Sequence, residues 1–203
     1  MWESKAAPLS GLAAVVLLVV SALIANNYEF MPPAQDVAAY YTSGSARIMT
    51  AGYVGLLAAF FFLWFGGSVY AFLDGSDRRL ALLAVGGSVF ASAMMALGYL
   101  TMIGGAERAG LQPPIDPGAA AALFDLSGLA VGTGGALGLG ALIGAYGLSR
   151  LRDESGRTGN WISILIALGL ISPVGWAVIG VGVLWVAVMS VQLYRRVSAY
   201  EPV

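Results

Sequence analysis

Residues 48–73 read IMTAGYVGLLAAFFFLWFGGSVYAFL, and these 26 consecutive residues without a charged side chain decide the fold. A helix rises about 1.5 Å per residue, so about 20 apolar residues cross the roughly 30 Å hydrocarbon core of a bilayer. The stretch is longer than one crossing requires, and it therefore predicts a transmembrane helix.

Similar apolar blocks follow one another along the chain and predict a single all-α domain over residues 1–203, a polytopic transmembrane helix bundle. Of the 203 residues, 59% are hydrophobic and 10% are charged, whereas soluble domains carry about a quarter charged residues. Asp116 and Pro117 have the residue types of an N-cap and a first helical position, at the start of the fourth block. The predicted spans are residues 9–26, 48–73, 80–103, 117–148, 158–172 and 174–194.

The last apolar block, residues 161–194, contains Pro173 and allows two interpretations. It is either one long helix kinked at the proline, which gives five spans, or two helices joined through residues 172–175, which gives six. Six spans place both chain ends and eight of the ten basic residues on one side of the membrane. Five spans move the C-terminal end with Arg195 and Arg196 to the other side, and only six basic residues then remain on the side of the N-terminus. Because cytoplasmic loops carry an excess of Lys and Arg, the charge distribution favours six spans.

The same bias predicts an orientation in the cell membrane with both termini cytoplasmic. Arg47 and Arg108 fall in the outer segments. The inner segments hold Lys5, Arg78, Arg79, Arg150, Arg152, Arg157, Arg195 and Arg196.

A short helix is expected in the first outer connection, at residues 33–43. Pro32 and Pro33 stand at its start and Gly44 just past its end, which are the usual positions of these residue types. Tyr40 and Tyr41 favour the headgroup layer, so the pattern indicates an interfacial helix. A lid over a ligand is the functional alternative, since ordered loops often carry function.

Span four carries a small residue at every fourth position, and small residues let helix backbones approach closely in lipid. The stripe consists of Gly128, Gly132, Ala136, Gly140 and Gly144. Span three has a matching series in Ala84, Ser88, Ser92 and Ala96. We expect both stripes to face helices within the bundle; a permeation path or a dimerisation seam is the alternative.

Arg47 and Asp125 are expected at similar depth in the outer headgroup layer, at the ends of spans two and four. A pair between them would hold the two spans in register, a structural role. The alternative is that water solvates each side chain separately.

The side chains that usually carry membrane chemistry are missing from the sequence. The chain has no Cys and no His, which removes thiolate nucleophiles and the commonest metal ligand. Apart from Asp125, which the length of span four places in the outer headgroup layer, no Asp, Glu, Lys or Arg falls inside the predicted spans, and proton-coupled transporters use such residues. We therefore expect no catalytic, cofactor or metal site, and the net charge of −1 gives no indication of nucleic-acid binding.

Three short motifs, in this order, resemble those of uncharacterised small bacterial integral membrane proteins from GC-rich lineages. Pro-Pro at 32–33 and Tyr-Tyr at 40–41 precede a span that starts with Arg47, Asp-Leu-Ser-Gly lies at 125–128, and Pro-Val-Gly-Trp lies at 173–176. The resemblance implies a six-helix membrane fold and no established activity.

The sequence therefore predicts a non-catalytic protein whose surroundings are the lipid bilayer. An accessory or scaffolding subunit, associated with itself or with other membrane proteins, is the first interpretation. A transporter or channel for an uncharged or lipid-like molecule is the alternative.

Overall fold

The computed structural model describes residues 6–26, 32–111, 114–151 and 157–199. Helices are the only regular elements in these ranges, which confirms the all-α prediction. The six helices are α1 (Ser10–Ala25, preceded by the 3₁₀ turn Ala7–Leu9), α2 (Ala34–Asp74), α3 (Arg78–Ala109), α4 (Pro117–Ser149), α5 (Arg157–Ile171) and α6 (Gly175–Ala199).

Five of these helices are long and apolar enough to cross a membrane, and α5 is the exception. Its 15 residues extend about 22 Å, less than the roughly 30 Å of a hydrocarbon core. The chain is thus a multi-pass membrane protein, and its described residues form five helices of full length and one shorter apolar helix.

The last apolar block forms two helices rather than one kinked helix. α5 ends at Ile171, and α6 begins at Gly175 after a turn closed by the Gly175 N–H, which donates to the Ser172 carbonyl at 2.9 Å. A Cβ at Gly175 would collide with the backbone of Leu170, so the tight turn requires glycine there. The Pro-x-Gly sequence therefore reverses the chain.

Consecutive helices pack antiparallel, and α6 closes the bundle against α1. We call the side on which α1 begins and α6 ends the near side, and the opposite side the far side. On the near side Gly11 of α1 lies against Ser190 of α6 and Phe65 of α2. Towards the far side, the Ser21 hydroxyl donates to the Ala51 carbonyl of α2 at 2.8 Å.

The segment expected as a separate outer helix, residues 33–43, is the first part of α2. Only Gly44 departs from helical backbone angles, with φ −121° and ψ 17°, so the connection to the span is a bend and not a loop. The whole α2 helix has 41 residues, about 60 Å. Val37 and Tyr41 are 1% and 0% exposed, because this extension packs against other helices instead of lying alone at the interface.

The far-side ends of α2, α3 and α4 pack together as a small cluster that we call the far-side cap. Its buried residues are Val37, Tyr41, Ile48, Ala106, Ala109, Ile115 and Ala120. A Cβ on Gly105 would lie 2.7 Å from the Tyr41 ring, so α2 and α3 nearly touch there. The Asp116 side chain caps α4 by accepting from the Ala119 N–H at 3.1 Å, which confirms the predicted N-cap.

Candidate functional site

Helices α3 and α4 approach each other closely through Gly87 and Gly138. A Cβ added to Gly138 would lie 2.5 Å from both the Ala91 nitrogen and the Gly87 oxygen, and a Cβ added to Gly87 would lie 2.6 Å from the Gly138 oxygen. Carbon atoms pack without strain at about 3.5–4.0 Å, so neither position leaves room for a side chain. Backbone therefore packs on backbone at this crossing.

The predicted stripe on α4 faces the α5–α6 hairpin and not α3. Gly140 and Gly144 lie against Ala167 of α5, and Gly132 lies nearest Trp176 of α6. Ala136 is fully buried. Gly128, the first member of the stripe, is exposed, and a Cβ there would have no neighbour within 4 Å.

The matching series on α3 faces α2. Ser88 is fully buried, and its side chain occupies the space that a Cβ on Gly66 of α2 would need. Ala84 and Ser92 are buried as well, and Ala96 is half-buried. The two series thus pack against different helices.

Sequence reasoning missed the residues of this contact between the backbones of α3 and α4, which are Gly87, Ala91 and Gly138. The sequence does contain an indication of this contact. Gly134 and Gly138 are four residues apart on α4 and form a second series of small residues, offset by two positions from the predicted stripe. In a helix with this many glycines, spacing alone cannot tell which stripe meets which neighbour.

The structure does not bring Arg47 and Asp125 together. The Arg47 guanidinium lies over the Tyr40 ring, 5.8 Å from its centroid, and no ion pair within 4.0 Å joins it to Asp125, both residues being described. Tyr40 in turn meets Phe124 edge-on at 6.3 Å. Contact between α2 and α4 at this depth is therefore made through aromatic rings.

Two arginines converge on one aromatic ring at the near side. The guanidinium carbons of Arg150 and Arg196 lie 5.4 Å and 5.5 Å from the centroid of Phe72. Phe72 stacks on Tyr146, which meets Trp185 edge-on. Cation–π contacts of this kind fasten the ends of α4 and α6 to the end of α2.

Most buried serine hydroxyl groups donate hydrogen bonds to backbone carbonyls. Ser190, for example, donates to Val186 of its own helix at 2.8 Å, and the Trp185 indole donates to the Ser163 hydroxyl at 2.9 Å. Tyr41, Ser68 and Ser92 carry buried side-chain oxygens without a hydrogen-bond partner.

Over the described ranges, no three acidic side chains lie close enough to share a metal ion.

An apolar cavity of about 220 Å³ lies between five helices, α1 to α4 and α6. Leu18 and Ala22 of α1, Tyr99 of α3 and Val183 of α6 line it, and its wall is almost entirely apolar. The cavity is partly open to its surroundings. The cavity has room for a small guest molecule.

The wall of the cavity contains a change of helix type in α4. Residues Leu129–Gly134 are π-helical, and the Gly135 N–H bonds to the Ala130 carbonyl five residues back. Val131 of this segment and Gly135 after it both line the cavity. Short π-helical segments inside α-helices occur frequently at functional sites.

Comparison of the chain with protein-family models, with curated proteins and with solved structures gave no match. The resemblance to bacterial membrane proteins therefore stays a prediction from short motifs.

Proposed function

We propose that this protein is a non-catalytic scaffold, an accessory subunit of a homo-oligomer or of a larger assembly in the cell membrane, with both termini cytoplasmic. The observation that supports the proposal is the close packing of glycines against neighbouring helices, against side chains at Gly11 and Gly66 and against backbone at Gly138. Gly11, Gly66, Gly138 and Gly140 each leave no room for a Cβ at a contact with a neighbouring helix. A bundle held this closely is rigid, because each helix is fixed by the shape of its neighbour.

A rigid bundle would suit the role of an accessory subunit. Lipid gives no hydrophobic driving force between helices, so fitted surfaces and van der Waals contact decide which helices associate. A protein whose own helices are fixed this way presents a constant lipid-facing surface to a partner. Preorganisation of this kind lowers the entropy cost of association.

The test is extraction of the tagged protein in a mild detergent, followed by mass spectrometry of the purified species. We expect a stoichiometric companion, either a second copy or another membrane protein. A single monomeric species in several mild detergents and in nanodiscs would contradict the scaffold function.

A second candidate function, passage of an uncharged lipid-like molecule, is favoured by the apolar cavity. Its wall would suit hydrocarbon and would resist polar solutes, since unpaired polar groups are costly to bury. Proteoliposomes with a fluorescent phospholipid in both leaflets test this function. Faster bleaching of the inner-leaflet lipid by an external reductant supports passage, and a rate equal to that of empty vesicles excludes it.

A further inference from the structure

The cavity exists because the far halves of α1 and α6 are held by different neighbours. The two helices touch on the near side, where Gly11 lies against Ser190. Towards the far side α1 is tied to α2, since the Tyr40 hydroxyl donates to the Ala25 carbonyl at 3.0 Å. Nothing in these contacts draws α1 towards α6 at that level.

The start of α6 is held by α4 and α5 instead. Trp176 lies next to Gly132 of α4, and Gly182 packs against Leu139 of α4 and Leu170 of α5. Two helices that meet at one end and are held apart at the other leave a wedge-shaped gap between them. The cavity lies in that gap.

The lining residues place the cavity in the membrane-embedded part of the bundle, from its middle towards the far side. On α1 they run from Ala14 to Ala22 in a helix that ends at Ala25. On α6 they run from Ile179 to Val186, in the first half of a helix that begins at Gly175. At this depth the surrounding medium is the hydrocarbon of the far leaflet, and the exposed Ala22 joins the cavity to that surface.

The size and the wall of the cavity suit a hydrocarbon guest. An apolar cavity of about 150 Å³ stays free of water and accepts benzene, and the cavity here is larger, about 220 Å³. Atoms that line an empty space lose their dispersion contacts, and a flexible chain of methylene groups would restore them. At Gly135 the nearest atoms to a Cβ would be 3.9 Å away, so the missing side chain adds to the space.

We propose that this cavity is a lipid site that binds one hydrocarbon chain of a membrane lipid, which enters from the far leaflet between α1 and α6. Tyr99 forms part of the wall on the side of α3. Its ring lies where a Cβ on Gly55 of α2 would be, so α2 holds the ring in place. The site is independent of the scaffold function, and it does not require that the lipid crosses the membrane.

Two matched pairs of variants test the site. Ala22→Trp and Val183→Phe add bulk to the cavity wall, whereas Leu23→Trp and Leu184→Phe change the adjacent residues, each 63% exposed on the lipid-facing surface. The wild type and the four variants are purified from nanodiscs of palmitoyl-oleoyl phosphatidylglycerol, and the lipid that stays bound to each is counted by native mass spectrometry. Thermal unfolding of the same samples reports whether each variant is folded.

We expect the wild type and both lipid-facing controls to retain one lipid and the cavity variants to retain it about tenfold less. Equal retention by the folded cavity variants and their controls would overturn the proposal. So would higher stability of the cavity variants without loss of lipid, because filling an empty void stabilises a bundle by itself. Two positions on different helices keep the test decisive if one variant fails to fold. This experiment measures bound lipid and not a companion protein. A negative result would therefore exclude the lipid site without deciding the proposed scaffold function.

Discussion

Replacement of Gly138 by alanine should separate α3 from α4 and destabilise the bundle. The new Cβ would lie 2.5 Å from two backbone atoms of α3, the Ala91 nitrogen and the Gly87 oxygen. Backbone atoms cannot rotate away as a side chain can, so the helices must move apart by roughly 1 Å to reach ordinary contact distance. Overpacking of this kind typically costs about 1–3 kcal/mol.

Gly128→Ala is the matched control, because it makes the same chemical change on the same helix in free space. Both substitutions gain the helix propensity of alanine, up to about 1 kcal/mol, so this gain cancels when the two variants are compared. The free energy of unfolding, measured by denaturant titration in mixed micelles, should be about 1–3 kcal/mol lower for Gly138→Ala than for Gly128→Ala. Equal values within about 0.5 kcal/mol would show that the crossing is looser than described and would refute the reasoning.

Three further predictions concern the N-cap of α3, the contact between Arg47 and Tyr40, and the orientation of the protein in the membrane. Asp77 accepts hydrogen bonds from two backbone N–H groups at the start of α3. Asp77→Ala should therefore lower the free energy of unfolding by about 0.5–2 kcal/mol. An unchanged free energy of unfolding would contradict the capping role. In double-mutant cycles to alanine, Arg47 should couple to Tyr40 by about 0.5–1 kcal/mol and more weakly to Asp125. Stronger coupling to Asp125 than to Tyr40 would instead support the ion pair expected from the sequence. Thr42→Cys, the single cysteine of the variant chain, should react with a membrane-impermeant maleimide added to intact cells, and labelling only after lysis would contradict cytoplasmic termini.

The helices could be read from the sequence because their causes are local. Residues 48–73 hold no charge and are far longer than a membrane-spanning strand, so they suit a helix, which makes all of its backbone hydrogen bonds within one segment. Asp116 could be identified as a cap because its side chain needs only the N–H groups that follow it. The chain does divide near Pro173 into two helices. Because α5 has only 15 residues and is shorter than a full crossing, the count of six spans that charge favoured stays a prediction.

The segment at residues 33–43 could be predicted only in part from local sequence patterns. Pro33 and Gly44 were assigned as the start and end of a separate helix, and helix α2 does begin just after Pro33 and bend at Gly44. Its continuation into the membrane depends on Val37 and Tyr41, which are buried by α3 and α4. That burial comes from residues more than 60 positions away, which no local pattern reports.

The sequence by itself determined that this chain is a bundle of membrane helices, and where most of those helices begin and end. Only the tertiary structure decided that Gly140 faces α5 while Gly138 faces α3, that Arg47 meets Tyr40, and that α1 and α6 part around a cavity. The physical reason lies in the solvent. In water a helix marks its buried face by an apolar stripe, but in lipid every face is apolar, so close fit between neighbours chooses the contacts and becomes visible only when the helices are assembled.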